Sequence, residues 1–119
     1  MKPKWSKVEA RAAHAAVRSY CRLAGSIDAH GHVVEATLKD GMEAEAAALF
    51  LSFLAERAET RTVENEATAE HARTTGVWGK GTDEMVERFT KLAEESRREA
   101  VKHRKLAARL RAEGMPPPC

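Results

Sequence analysis

Apolar residues near the start of the chain recur at three- and four-residue steps: Val8, Ala12, Ala13, Ala16, Val17, Tyr20 and Leu23. That period lays them on one face of an α-helix. Ser6 and Glu9 have capping-box spacing, Trp5 stands before the cap where it can staple against the first turn, and Gly25 suits the left-handed residue beyond a helix end. A first helix is expected over residues 7–24. From Ser26 to Asp40 the pattern is looser: Ser26 or Asp28 can cap a short helix over about 28–39 holding Val33, Val34 and Leu38, which Gly31 weakens. Asp40 and Glu43 repeat the capping-box spacing, and no Gly or Pro follows Met42 until Gly76. One helix over about 41–75 is therefore expected, roughly 50 Å long at 1.5 Å per residue. Three glycines between Gly76 and Gly81 mark a reversal, Thr82, Asp83 and Glu84 suit a helix start, and Gly114 suits an end. The last helix is placed over 83–113, with 114–119 as an extended proline-bearing tail.

The two long helices carry matching seams. Ala48, Leu51, Ala55, Ala58, Thr62, Asn65, Ala69 and Ala72 alternate steps of three and four, as do Val86, Phe89, Ala93, Ser96, Ala100, His103, Ala107 and Leu110. A fold-back at Gly79 opposes the two sets in reverse order, each pair symmetric about that glycine. Most of these side chains are small, so the backbones can approach closely. In that register Thr62 shares a level with Ser96, Glu59 with Arg98, Glu56 lies near Lys102 and Arg73 near Glu84. Leu49, Phe50, Phe53 and Leu54, with Val101 and Leu106, make a further apolar face at one end, for the first helix to cover. The fold class that follows is all-α: a small helical bundle whose N-terminal helix packs on one end of a long antiparallel hairpin turning near Gly79.

Composition narrows the chemistry. With 119 residues there is room for one domain, and 5% aromatics cannot build a thick core. Twenty basic and 18 acidic side chains leave a net charge of +2, which by itself points to neither nucleic acid nor membrane. The distribution is uneven: residues 41–75 are net −4 and 97–111 net +6. Two cysteines, Cys21 and Cys119, are too few for a disulfide framework, and the richest apolar window, residues 46–55, is too short to span a bilayer. A cytoplasmic protein without a membrane partner is expected, with Cys119 open to cross-linking or modification.

The half of the hairpin beyond the first helix is a two-helix arm, and small seams bury little area against the cost of ordering the chain. Val63, Met85 and Leu92 lie off its seam and Val77 and Trp78 sit at its turn, so this arm is expected to meet a protein partner through Val63, Val77, Trp78, Met85 and Leu92. The expected function is a non-enzymatic interaction or assembly module, acting as a homo-oligomer or a subunit of a complex, with no cofactor. An alternative is nucleic-acid binding by Arg97, Arg98, Lys102, Arg104, Lys105, Arg109 and Arg111.

A second alternative is a metal or small-ligand bundle using His30 and His32. The stretch from Ile27 to Val33 resembles the His-x-His metal motif of amidohydrolases, but the resemblance spans only seven residues, and that fold needs a barrel of roughly 250. His71 and His103 lack the Glu three residues before them that di-iron bundles use. His103, on the seam opposite Ala55, is a candidate pH-sensitive group. Cys21 and Cys119 have no base beside them in the sequence, and Gly76 to Gly81 lacks the Gly-Lys-Ser/Thr ending of a phosphate-binding loop.

Overall fold

A computed structural model describes residues 4–118, and the helical periodicities appear there as three helices: α1 (Lys7–Leu23), α2 (Glu43–Thr75) and α3 (Thr82–Glu113). Between α1 and α2 lie two short strands, β1 (Ser26–Ile27) and β2 (Val33–Val34). The fold is an all-α small bundle in which α2 packs against α3 as an antiparallel hairpin and α1 packs on α2. The described residues divide into two compact units: those up to Phe53 together with those from Arg104 onward, and Leu54–His103.

In the Leu54–His103 unit the seam is buried at Ala55, Ala58, Thr62, Ala69, Ala72, Ala93, Ser96 and Ala100, with Asn65, Val86, Phe89 and His103 half-buried. Thr62 and Ser96 do not bond to each other. Each donates to the carbonyl one turn back on its own helix, Thr62 Oγ1 to Ala58 O at 2.9 Å and Ser96 Oγ to Leu92 O at 2.9 Å, which gives both hydroxyls an acceptor within the seam. The interhelical ion pairs differ in detail from the expected ones: Arg61 meets Glu99 at 2.9 Å and Arg97 meets Glu66, while Arg73 turns to Glu70 on its own helix. Long side chains reach a turn up or down the seam, so a register fixed by small residues leaves the charge partners free to choose. The reversal uses Gly76 and Gly79 at φ +60° and +56°, and a turn of 3₁₀ helix over Gly79–Gly81 leads into α3.

The other unit holds α1, the start of α2 and the end of α3. Both capping-box bonds form at α1: Glu9 N–H donates to Ser6 Oγ at 3.1 Å and Ser6 N–H donates to Glu9 Oε1 at 3.2 Å. Trp5 is held by the Arg109 guanidinium, 3.9 Å over its ring, and Arg109 also reaches Glu9 at 3.0 Å and Glu113 at 2.9 Å. Buried residues of α1 are Ala10, Ala13 and Ala16, and α2 begins with buried Ala46, Ala47 and Ala48. Leu51 and Leu110 are the large side chains of this core. After α3, Gly114 takes φ +81° and donates to Leu110 O at 2.8 Å, and Pro116 is buried.

Three expectations are corrected here. The short helix over 28–39 does not form: Ser26 pairs with Val34 and Ile27 with Val33 in an antiparallel hairpin. β-branched residues flank a five-residue loop closed by Asp28, whose Oδ1 accepts from His30 N–H at 2.9 Å and His32 N–H at 2.8 Å, with Gly31 at φ +83°. Gly25 is not left-handed; a Cβ there would lie 2.1 Å from Val34 O, so glycine lets β2 come against the end of α1. Asp40 does not cap α2, because the helix begins at Glu43 after a turn through Gly41 at φ +83°.

Candidate functional site

The core is made of small side chains, and that decides what the surface must carry. Among the described residues, the buried apolar positions of the helices are all alanine except Leu51 and Leu110. Alanine faces draw helices close but cannot shield the large neighbours beside them. The apolar face expected to lie under α1 is consequently left part-open: Leu49 and Phe53 are each 43% exposed, Val101 is exposed, and Phe50, Leu54 and Leu106 are half-buried.

In the unit of α1, an apolar groove of about 290 Å³ runs between Tyr20, Leu23 and Ala24 at the end of α1 and Leu49, Phe50 and Phe53 of α2. The rings of Phe50 and Phe53 sit 6.3 Å apart and tilted by 45°, within the favourable range for an aromatic pair. The strand pair that follows α1 adds Ile27, Val33 and Val34, all exposed. Sequence reasoning missed this groove because it assigned Leu49, Phe50 and Phe53 to the interior. The available signal was that the middle of the expected inward face of the first helix is alanine, at Ala12, Ala13 and Ala16, too little side chain to cover two phenylalanines.

The five residues expected to meet a partner all lie in the Leu54–His103 unit. Val63, Val77, Trp78 and Leu92 are exposed and Met85 is half-buried. Val77 and Trp78 stand together on the turn, whereas Val63 belongs to α2 and Met85 and Leu92 to α3. A cleft of about 270 Å³ in this unit is lined by Glu66, Glu70, Arg73, Glu94 and Arg97 among others and contains none of the five.

The basic residues of α3 are largely engaged. Arg97 is paired with Glu66, Arg109 with Glu9 and Glu113, and Arg111 with Glu45 at 3.3 Å, and Arg104 also has a partner. Arg98, Lys102 and Lys105 are exposed. The seven do not form one stripe of free cations.

His30 and His32 are exposed at the tip of the strand pair, their ring centroids 6.4 Å apart, with Asp28 Oδ2 3.7 Å from His32 Nδ1. Among the described residues no three His, Cys, Asp or Glu side chains are grouped to hold a metal. His103 is half-buried with Nε2 3.4 Å from Glu99 Oε1, and the other Glu99 oxygen accepts from Arg61. Cys21 is a free, half-buried thiol, and Cys119 lies outside the described residues. Among the described residues Glu9 is the titratable group clearly displaced from its ordinary value. Its hydrogen bonds with Ser6, through the side chain first and the backbone next, hold its carboxyl below the usual carboxylate range; partial desolvation opposes them, and the Arg109 guanidinium adds to them.

Among the described residues no helix is long and apolar enough to cross a membrane. Comparison with protein-family models, curated proteins and solved structures finds no match to this chain.

Proposed function

We propose that the protein is a non-enzymatic assembly module that associates with further copies of itself, using the apolar groove of Tyr20, Leu23, Leu49, Phe50 and Phe53. The observation that carries this reading is the inversion of size between inside and outside: alanines fill the core while phenylalanine, leucine and the β-branched residues of the strand pair face water. Single exposed apolar residues are ordinary, but a contiguous groove of them is a surface that gains by being covered. Covering a half-exposed Leu or Phe is worth about 1 kcal/mol, so the groove supplies several kcal/mol of driving force. A two-fold dimer would bring this patch of one copy against the same patch of another. Trp78 and Val77, 53% and 69% exposed on the turn of the other unit, provide a separate apolar surface on which the same kind of contact can be built.

Sedimentation equilibrium across about a hundredfold dilution tests the reading. The wild-type chain should show a mass above the 13.1 kDa of one copy at the upper concentrations. Leu49→Asp combined with Phe53→Asp should return it to a single copy with helicity intact. A wild-type mass of one copy throughout would sink the proposal, and association that survives the double variant but is lost in Trp78→Ala would move it to the turn. Binding of nucleic acid through the basic segment is a weaker reading, since Arg97, Arg109 and Arg111 already face carboxylates.

A further inference from the structure

Arg11, His14 and Arg18 lie at three- and four-residue steps on α1 and, with Ala15 and Pro118, line an open cleft of about 520 Å³. Seven residues of helix bring Arg11 and Arg18 to within about 20° of the same bearing and about 10 Å apart along the axis, with His14 between them. Both arginines are exposed, and neither makes a hydrogen bond or ion pair among the described residues. That sets them apart from Arg22, Arg61, Arg97 and Arg111, each of which has a glutamate. No carboxylate lines the cleft among the described residues.

His14 lies between them on the same wall. Its Nε2 is shielded from solvent and has no hydrogen-bond partner among the described residues, so as the ring stands that nitrogen is closed to a ligand in the open cleft. Among the described residues, two unpaired guanidiniums are thus gathered on one wall with no carboxylate beside them. The ligand that fits must bring acceptors and negative charge. A single carboxylate is satisfied by one guanidinium, whereas a phosphate group carries nearly two charges and three acceptor oxygens, enough to engage both arginines. The cleft volume falls in the range of sites for small molecules.

We propose that this cleft binds a phosphate group, held by Arg11 and Arg18 beside the ring of His14. The site is independent of the assembly surface, since none of its lining residues is shared with the apolar groove.

The test follows the His14 ring resonances of the full chain by NMR while phosphate is added at constant ionic strength. Inorganic phosphate and phenyl phosphate are titrated separately, with sodium chloride as control. Saturable shifts at His14 are expected, and Arg11→Gln with Arg18→Gln should weaken binding at least about tenfold. Circular dichroism should show α1 intact in that variant, because glutamine is a good helix former and both positions are exposed. Tighter binding of phenyl phosphate would assign the site to an organic phosphate, and equal or tighter binding of the inorganic ion would assign it to free phosphate. Shifts that never saturate, that chloride reproduces, or that persist in the double variant would overturn the proposal.

Discussion

Among the described residues Leu110 is the large side chain that the fold buries completely, in a core that is mostly alanine. Small neighbours have little to move into a vacated space, so Leu110→Ala should cost about 2–5 kcal/mol, read from urea unfolding, and Leu49→Ala, at a half-exposed position, much less. Equal losses would mean that the interior is not where the burial places it. Glu9 offers a second expectation at this scale. Its folded-state pKa lies below its ordinary value of 4.5, so the stability it contributes is complete above the unfolded-state value. It is lost as the pH falls through the folded-state value. Unfolding measured at descending pH should show that loss beginning below about pH 5, and Ser6→Ala should flatten it by removing the main cause of the shift. An unchanged acid limb in Ser6→Ala would show that the capping box does not hold the carboxylate.

The helices, the cap at Ser6 and the end at Gly114 follow from local rules, while the segment between α1 and α2 depends on a long-range approach. Gly25 allows the Val34 carbonyl to come close to the end of α1, and Ala36 N–H then donates to Cys21 O at 2.9 Å. Gly25→Ala places a methyl 2.1 Å from that carbonyl oxygen, which is backbone and cannot swing aside. The expected outcome is loss of the strand pair from α1, seen as rapid hydrogen exchange at Ala36 with the helices retained; continued protection there would show that the close approach is not needed. Asp28, Gly31 and the β-branched residues around them do carry a strand-pair signature that reads clearly once Val33 and Val34 are taken as strand residues. The helical reading arose because Val33, Val34 and Leu38 also fit a helical period over so short a stretch.

For the molecule as a whole, a core of alanines implies modest stability from each copy and a gain on association. If association through the groove contributes, the melting temperature should rise with protein concentration, and the combined Leu49→Asp and Phe53→Asp variant should melt at a temperature independent of it. Calorimetry or ellipticity at several concentrations checks this; a wild-type melt that does not move would leave self-association without a part in stability.

The seam positions, the reversal at Gly79 and the cap at Ser6 were legible in the sequence because each rests on contacts between residues a few positions apart, or on a periodicity that runs unbroken along two long helices. Which large side chains face inward was not legible. Leu49, Phe50 and Phe53 look like core by hydropathy, yet α1 approaches with alanine and leaves them at the surface. The meeting of Arg11, His14 and Arg18 with Pro118 likewise joins positions from opposite ends of the chain. Periodicity assigns a residue to a face of its own helix, but whether that face is covered depends on the size of the side chains that arrive from elsewhere, and that is decided only when the elements pack.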